Sequence, residues 1–461
     1  MTKLQDLGTA ELPDPPASMW RVIGPGIVAA GVGLASGEFI LYPFIASQVG
    51  LVFVWAALVG LITQFFINME IERYTLATGE TVLTGFSRLG RHWGAFFVLL
   101  GLLANLWPGW ATSAATLTTY LIGGSVPWIA SGMLLAIGAI LTLSPVVYRA
   151  LEQMQLLKVL LVGLLVIVAG LFAIPSDIWV ATPRGLADVQ LPSGQLGWAL
   201  LLGALAYAGA GGAQNLCQSN WIRDKGLGMG KHAPRIVSPL TGEPVAHSGT
   251  GWRFDIDEQS LSRWSRWWRL ANIEQLSTFV AISFVTIVFT SILAFATLSV
   301  GEGLPRDISF LRIEGDALSA SVGPWFGKLF WFVGAFSLFA ASLGIVDFTS
   351  RLAADTIRTV YWRGGRESLI YTAVVWAMVL TGIAIIDAGL SQPLVLLVTS
   401  ACVAAFMMFI YSALLIVLNR RLLPVELRPA PYRVASLVWA VALFGILSAI
   451  TVVDQASKLL K

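Results

Sequence analysis

The sequence predicts an all-α polytopic membrane protein with about eleven transmembrane helices, of which helices 1 and 6 are broken. Hydrophobic residues make up 56% of the 461 residues and charged residues only 12%, with a mean hydropathy of +0.77. A soluble chain of this length could not cover so much apolar surface, whereas lipid covers it in a membrane protein. Apolar runs of about twenty residues also recur along the chain, each long enough to cross a bilayer as a helix.

Eleven such runs are predicted to be transmembrane spans. In chain order they are Val22–Val49, Leu51–Tyr74, Trp93–Ile122, Pro127–Tyr148, Leu156–Ile174, Leu196–Trp221, Leu276–Val300, Pro324–Asp347, Leu369–Ile386, Pro393–Leu418 and Val434–Val453. With the N-terminus inside, most of the 29 Lys and Arg residues, Lys158 and Arg351 among them, are assigned to cytoplasmic segments. This asymmetry predicts a cytoplasmic N-terminus and a C-terminus outside, in the plasma (inner) membrane.

The first span carries a carboxylate, Glu38, inside a long apolar run that is rich in glycine. A charge at membrane depth is costly and marks a functional site by default. Because Gly and Pro lower helix propensity, this span is predicted to unwind midway. Unwound backbone at that depth must be buried in protein or line a cavity. The stretch therefore predicts an ion or solute site that includes Val32, Ala35, Ser36 and Glu38.

The sixth span contains a second glycine-rich stretch, which ends in the amides Gln214 and Asn215. Close helix packing through small residues is one explanation for it. Spans one and six, however, are the first members of two five-helix halves, and broken helices at matching positions indicate a transporter site. We expect carbonyls near Val32 and Gly209, together with Gly212, to complete the site. Hard cations such as magnesium, manganese or calcium suit these oxygen ligands, with Glu38 and Gln214 as metal ligands.

Other ionisable residues give weaker signals. Asp347 in span eight precedes Arg351 by four residues, which predicts either a helical ion pair or a role in coupling. His92, His232 and His247 are scattered and predict no metal centre. Cys217 and Cys402 give no disulfide framework. No phosphate loop, catalytic triad or metalloprotease pattern is present, so an enzyme is disfavoured. A nucleic-acid partner is also disfavoured, because arginine beside tryptophan is ordinary at a membrane.

The polar segments define the expected domain organisation. We expect a disordered cytoplasmic tail (1–20), a transporter core (21–423) with repeats at about 21–175 and 196–420, a cytoplasmic insertion (223–272), and an eleventh span with the C-terminus (424–461). Within the insertion, Trp264, Trp267 and Trp268 share one face of a helix and are flanked by arginines. This pattern predicts a helix lying at the inner membrane interface. A regulatory or partner-docking helix is the alternative.

Several short motifs, in order along the chain, resemble those of the Nramp metal-ion transporters. They are Gly24-Pro25-Gly26 before the first break, Arg73-Tyr74-Thr75-Leu76-Ala77-Thr78-Gly79-Glu80 after span two, Leu151-Glu152 before span five and Asn215-Leu216 in span six. The likeness covers roughly Arg21 to Leu423. It implies a LeuT-type 5+5 inverted repeat and symport of protons and divalent metal into the cytoplasm.

The chain departs from that family at the metal site. Family members carry Asp-Pro-Gly-Asn where this chain has Ala35-Ser36-Gly37-Glu38, and Met-Pro-His where it has Gly212-Ala213-Gln214. Without the thioether, strict selectivity for manganese or iron is not expected, because sulfur helps to select softer metals. Span three also lacks the family's acidic residues. Glu38 would then bind proton and cation in turn, since burial disfavours its charged form, or transport would be uniport.

The expected function is a monomeric secondary transporter that moves a divalent cation, magnesium- or manganese-like, with relaxed selectivity. Its expected partners are the metal ion or a small solute and the lipid bilayer, with protons as the coupling ion unless transport is uniport, and no permanently bound cofactor is expected. The alternative is a cation-coupled transporter of a small organic solute, favoured by the small residues Ala35, Gly211, Gly212 and Ala213. A sensor that binds without moving its ligand is a third hypothesis, supported only by the insertion.

Overall fold

The computed structural model describes residues 4–144, 147–233, 250–298, 304–305, 307–390 and 392–459. The predicted end of span seven at Val300, and His247, lie outside these residues. Nearly all regular structure is helical: α1 (Pro25–Gly33), α2 (Tyr42–Val49), α3 (Trp55–Thr78), α4 (Val82–Leu89), α5 (Trp93–Asn105), α6 (Gly109–Ile122), α7 (Val126–Leu143), α8 (Val147–Phe172), α9 (Ser176–Ala187), α10 (Ser193–Leu196), α11 (Trp198–Ala206), α12 (Ala213–Lys225), α13 (Glu258–Gln275), α14 (Ala281–Thr297), α15 (Phe310–Ser321), α16 (Pro324–Thr356), α17 (Glu367–Asp387), α18 (Pro393–Leu422) and α19 (Pro431–Leu459). Two short strands, β1 (Gly8–Thr9) and β2 (Trp252–Arg253), pair in parallel.

Nine helical stretches of the described chain are long and apolar enough to cross a membrane. The other two predicted spans are also helical. Span two is α3, whose second half carries Glu70, Glu72 and Arg73, and span six is divided between α11 and α12. The predicted all-helical architecture, with spans one and six interrupted, is therefore confirmed.

Two of the charges in the second half of α3, Glu70 and Arg73, pair with each other inside the protein. The guanidinium of Arg73 binds the carboxylate of Glu70 at 2.7 Å, and Asn419 of α18 donates to the same carboxylate at 3.1 Å. Glu70 is fully buried, so this is not the exposed pairing that a position at the membrane surface suggests. Because a buried charge is costly unless it is paired, these contacts hold α3 and α18 together at this level.

The N-terminal segment is not a disordered tail over residues 4–20. Leu12 is fully buried, and β1 pairs with β2 of the insertion. The carboxylate of Glu11 accepts a hydrogen bond from Arg263 at 2.5 Å, and Pro13 O accepts one from the indole of Trp267 at 2.8 Å. The segment and the insertion cover one end of the helical bundle together, and we call this end the insertion side.

Two tryptophans of the insertion that are predicted to lie in the headgroup layer, Trp264 and Trp267, are packed on protein in the structure. Trp264 and Trp267 are buried, and α13 continues through a π-helical turn (Leu276–Val280) into the seventh span. The guanidinium of Arg73 lies 4.0 Å from the ring centre of Trp268. The aromatic face is therefore used to dock α13 on α3, because a cation above an aromatic ring is attracted to it.

Candidate functional site

Both predicted breaks are present, and glycine conformation explains the second. Span one is regular through α1, is interrupted at Leu34 and Ala35, and resumes as a π-helical turn (Gly37–Leu41) that leads into α2. In span six the chain leaves the helix after Ala206 and re-enters it at Ala213. Gly209, Gly211 and Gly212 lie between these points with φ of +105°, +82° and +54°. L-residues with a side chain rarely adopt these values, so the helix cannot continue there.

The two breaks contact each other directly through backbone. A Cβ atom at Gly33 would overlap with Gly209 O, and a Cβ atom at Gly37 would overlap with Tyr207 O. Only glycine allows backbone to approach backbone this closely. The glycines of span one thus serve two purposes, since they weaken the helix and they admit the unwound segment of span six.

One side chain of span two holds that unwound segment in place. The Gln64 amide nitrogen donates to Ala206 O and Ala208 O, both at 3.0 Å. Its amide oxygen accepts from the backbone N–H of Ala210 at 3.0 Å and of Gly211 at 2.9 Å. Gln64 is fully buried and uses its complete donor and acceptor capacity on four backbone groups that the broken helix leaves free. The break is therefore stabilised by a residue that sequence reasoning missed.

A small cavity lies between the breaks. Its volume is about 20 Å³, which is room for one water-sized body. Its lining is Val32, Gly33, Ser36, Ala104, Asn105, Trp110, Tyr207, Ala210, Gly211, Ala213, Gln214, Ile345, Phe348 and Ala404. The polar side chains of this set are neutral, so the cavity presents hydroxyl and amide groups but no carboxylate.

Three of the predicted site residues line this cavity: Val32, Ser36 and Gln214. The Gln214 amide nitrogen donates to Ala29 O of α1 at 2.7 Å, so it bridges the two broken spans. Ala35, Gly209 and Gly212 belong to the interrupted segments but are not among the residues that line the cavity.

Asn215, another predicted site residue, is not among the residues that line the cavity. Its amide nitrogen donates to the Asn68 side chain at 2.5 Å, and its amide oxygen accepts from the Tyr411 hydroxyl at 3.1 Å. Helical periodicity turns it away from Gln214, toward α3 and α18. Asn215 therefore ties three spans together and has no free oxygen directed at a ligand.

Asp347 is also engaged in structure. One oxygen accepts from Arg351 at 2.7 Å and the other from the Tyr371 hydroxyl at 2.6 Å, with both Asp347 and Arg351 fully buried. Arg351 also binds Asp224 of α12, while Arg223 pairs with Asp355 at 2.8 Å. This buried ion network joins spans six, eight and nine on the insertion side. The predicted helical pair is present, but nothing in the geometry points to coupling.

Glu38, the residue on which the predicted metal site depended, does not line the cavity. It belongs to the π-helical turn after the break and is fully buried, and neither carboxylate oxygen has a hydrogen-bond partner among the described residues. Its neighbours are on the other side of span one: Thr290 of α14 donates to its backbone carbonyl at 2.6 Å. Of the two predicted metal ligands, Gln214 therefore lines the cavity and Glu38 does not.

The structure also relocates Lys158, which was assigned to the cytoplasmic set. Its side chain is fully buried within α8, and its ammonium donates to Gly31 O of α1 at 2.6 Å. Lys158 is close enough to interact electrostatically with Glu38. A basic residue and an acidic residue are therefore both enclosed beside the broken first span.

A ready-made metal centre is absent from the part of the chain described here: no group of three or more His, Cys, Asp and Glu residues is arranged to hold an ion. His92 contacts the Tyr361 hydroxyl at 3.0 Å, and His232 contacts Glu11 O at 3.1 Å. Each histidine thus makes a separate exposed contact, with a tyrosine hydroxyl or a backbone carbonyl. A cation at this site would have to be held by neutral oxygens of the cavity.

Comparison with known proteins supports the fold. No protein-family model and no curated protein matches the chain. A solved structure of a mutant Eremococcus coleocola manganese transporter is 14% identical, with a TM-score of 0.73 over 97% of this chain and 90% of that one. MhsT in complex with L-phenylalanine is 12% identical, with a TM-score of 0.57 over 95% of this chain and all of that one. MHP1, a nucleobase-cation-symport-1 family transporter in a closed conformation, is 13% identical, with a TM-score of 0.53 over 96% and 91%.

The similar structures carry different ligands on one architecture, so at these identities they establish the fold alone. The resemblance to Nramp transporters noted from the motifs is confirmed at this level, together with the LeuT-type arrangement that it implied. The chain is an all-helical membrane protein with the LeuT-type fold, whose two broken helices meet around a small neutral cavity.

Proposed function

We propose that this protein is a secondary transporter that moves its substrate by alternating access around the cavity between spans one and six. The observation that carries the proposal is the contact of the two unwound segments, Gly33 on Gly209 and Gly37 on Tyr207, around an enclosed polar space. Backbone that is unwound at membrane depth is tolerated only where it is buried or lines a cavity. Broken helices at matching positions of two repeats are typical of transporter sites.

The insertion side is the cytoplasmic side in this proposal, which places the N-terminus inside and the C-terminus outside. Support comes from the clustering of Arg and Lys in the segments that reach this side. In this proposal the ion network of Arg223, Arg351 and Asp224 keeps that side closed. Inward opening would have to separate α12 from α16, since these charges join the two helices.

The first candidate substrate is a small hard cation, magnesium- or manganese-like. The enclosed volume of about 20 Å³ suits a single ion rather than an amino acid. Ser36, Asn105 and Gln214 offer neutral oxygens, which suit hard cations. Because no carboxylate, imidazole or thioether faces the cavity, binding should be weak and discrimination among divalent cations small.

The second candidate is a small organic solute. Trp110, Tyr207 and Phe348 line the same cavity, and aromatic walls are typical of sites for organic ligands. Such a solute needs a wider cavity than the closed state offers. Ala104, Ala213 and Ala404 leave space at the wall into which the cavity could expand.

A flux panel in proteoliposomes separates the two, with Mg²⁺, Mn²⁺, Ca²⁺, amino acids and nucleobases supplied individually. Gln214→Leu should abolish flux, because it removes a polar group from the cavity and the bridge to Ala29. Gln218→Leu is the matched control: Gln218 lies one turn further along α12, is fully buried, and has no hydrogen-bond partner among described residues. Replacing it with an apolar residue should leave flux unchanged.

The outcomes are distinct. Flux of divalent cations that depends on Gln214 supports the first candidate, and flux of organic solutes alone supports the second. Specific binding without flux would favour the sensor hypothesis. Equal flux in wild type and Gln214→Leu would contradict the assignment of the cavity as the transport site.

A further inference from the structure

A lateral groove lies between α3 and α19 on the membrane-facing surface, and we call it the α3–α19 groove. Its volume is about 460 Å³, and most of its lining is apolar: Leu58, Val59, Ile62 and Phe66 of α3, with Ala435 and Trp439 of α19. Leu58 is 46% exposed and Trp439 is 52% exposed, so the groove opens sideways. Within a bilayer, hydrocarbon chains cover a surface of this kind.

The groove begins near the insertion side and stays within one leaflet. The rings of Phe66 and Tyr432 meet at its insertion-side end, with centres 6.4 Å apart. Further along, the indole of Trp439 donates to the Thr63 hydroxyl at 3.1 Å. Between Tyr432 and Trp439 the helix rises about 10 Å, at about 1.5 Å per residue. One leaflet supplies about 15 Å of hydrocarbon, so a lipid of a single leaflet can follow the groove.

Positive charge is in excess at the insertion-side end of the groove. Arg73 binds Glu70 at 2.7 Å, and Arg433 approaches the same carboxylate at 3.5 Å, so two buried guanidiniums share one acid. Both lie over the ring of Trp268, at 4.0 Å and 4.7 Å from its centre. Arg433 also lies 5.6 Å from the ring centre of Phe66, which lines the groove. The charge excess therefore adjoins the groove itself.

Two exposed arginines extend this positive end to the surface. Arg269 is the next residue after Trp268 on α13. Arg428 belongs to the connection between α18 and α19, whose Leu427 carbonyl accepts a hydrogen bond from Arg73 at 3.0 Å. Neither exposed arginine has a carboxylate within 4.0 Å among the described residues. Both are available to an anion that lies at the membrane surface.

We propose that the α3–α19 groove binds an anionic phospholipid, with one acyl chain along the groove and the phosphate at Arg269 and Arg428. Arginine N–H groups form charge-assisted hydrogen bonds with phosphate oxygens, and basic pockets between transmembrane helices are typical sites for anionic headgroups. A zwitterionic lipid also carries a cation, which these arginines repel. The acid of the α18–α19 connection, Glu426, is exposed and is outnumbered by the exposed arginines Arg420, Arg421 and Arg428.

The site lies where span eleven joins the rest of the bundle. That span, α19, follows the two five-helix halves, and Arg433 ties it to α13 by donating to the Asn272 side chain at 2.6 Å. A lipid in the groove contacts α3 and α19 together. Because a ligand that binds only the folded state raises its stability, the lipid should stabilise this attachment. The inference does not depend on which substrate the protein transports.

The test is thermal unfolding of the full-length protein in a neutral detergent, titrated with three probes. Dioleoyl phosphatidylglycerol should raise the unfolding temperature, and dioleoyl phosphatidylcholine should need at least a tenfold higher concentration for the same shift. Glycerol phosphate, which carries the anionic group without acyl chains, should produce no shift. A shift with glycerol phosphate equal to that with phosphatidylglycerol would show that the groove is not used, and would overturn the proposal.

Substitutions at exposed positions separate the charge from the groove. Arg269→Gln and Arg428→Gln should each raise the half-maximal phosphatidylglycerol concentration about fivefold, because a basic residue near the membrane surface contributes about 1 kcal/mol of attraction to anionic lipid. Arg366→Gln, at an exposed arginine just before α17, is the control and should change nothing. Ala435→Trp should fill the groove and abolish the shift, whereas Ala442→Trp, at an exposed alanine of α19 outside the lining, should retain it.

Unfolding temperatures without lipid check that each variant folds. Equal half-maximal concentrations for the two phospholipids would overturn the proposal, and so would a phosphatidylglycerol response that Arg269→Gln, Arg428→Gln and Ala435→Trp all leave unchanged. A response lost in the arginine variants but retained in Ala435→Trp would remove the acyl chain from the groove. Stabilisation that rises with protein concentration and not with lipid would assign the groove to a second copy of the chain. Each of the last two outcomes also contradicts the proposal.

Discussion

The contacts of Gln64 make the sharpest prediction about the broken sixth span. Replacing Gln64 with Met keeps the length of the side chain and removes its four hydrogen bonds to Ala206, Ala208, Ala210 and Gly211. A hydrogen bond contributes about 0.5–1.5 kcal/mol net, so four amount to about 2–6 kcal/mol. The upper half of that range is expected, because the orphaned backbone groups are buried and unsatisfied groups cost more than the average bond contributes.

The assay is thermal unfolding in detergent, followed by flux in proteoliposomes. Gln64→Met should unfold at a clearly lower temperature and lose flux, because the unwound segment no longer has a fixed shape. Gln48→Met is the control, since Gln48 is half-buried at the end of α2 and donates only a long, 3.4 Å hydrogen bond to its neighbour Ser47. If Gln64→Met matches the wild type in both measurements, the claim that this side chain maintains the break is wrong.

Three further predictions follow from packing, charge and pH. Gly37→Ala should abolish flux and lower the free energy of unfolding by about 1–3 kcal/mol, because the new methyl overlaps with Tyr207 O. Gly132→Ala on α7 is the control: nothing lies within 4 Å of the new methyl, so it should be neutral or slightly stabilising in the same thermal assay. Asp224→Asn should lower the free energy of unfolding by about 3 kcal/mol, because it removes a carboxylate that pairs with buried Arg351. Asp387→Asn, at an exposed position, should leave the free energy of unfolding unchanged in the same denaturation experiments. Burial raises the pKa of Glu314, on α15, to about 8. Between about pH 4.5 and pH 8 the folded protein therefore keeps a proton that the unfolded chain releases, so the free energy of unfolding should fall by about 1.4 kcal/mol per pH unit as the pH rises through this window. Glu314→Gln should remove this component, and unfolding curves across the window with unchanged slope would contradict it.

The spans and the two breaks were predictable because their signals are local. Apolar runs indicate segments that lie in lipid, and the glycines around Gly209 indicate a segment of backbone that does not remain helical. Their approximate positions followed, and so did three lining residues, Val32, Ser36 and Gln214. The prediction of a broken pair needed no information about side-chain direction.

Where the structure differs from the sequence-based predictions, the difference lies in the direction of a side chain or in its contact partners. Glu38 lies four residues past the start of the break, in a π-helical turn that changes the direction of its side chain relative to a regular helix. The amino-acid composition of the span does not predict such a turn. Asn215 follows Gln214 by one residue, so the helix turns the two amides apart. Lys158 was read as a cytoplasmic charge because the boundary of span five fell beside it.

Two missed residues carried a usable signal. Gln64 and Asn68 are amides one helical turn apart inside the apolar run of span two. The argument applied to Glu38, that polar groups at membrane depth mark a site, applies to them as well. Glu314 gave no such signal, because it lies on a connecting helix of mixed polarity and becomes buried only through tertiary packing.

Alternating access at the cavity is tested most directly by the accessibility of Ser36. In a chain with Cys217 and Cys402 replaced by Ala, Ser36→Cys would carry the sole thiol. A membrane-impermeant thiol reagent should label it from each side of the membrane in separate experiments, and Mn²⁺ or the solute that the flux panel identifies should slow labelling from both. Alternating access at this cavity would be contradicted if the reagent labels Ser36→Cys from neither side. It would also be contradicted if labelling occurs from one side only and no transported substrate changes its rate.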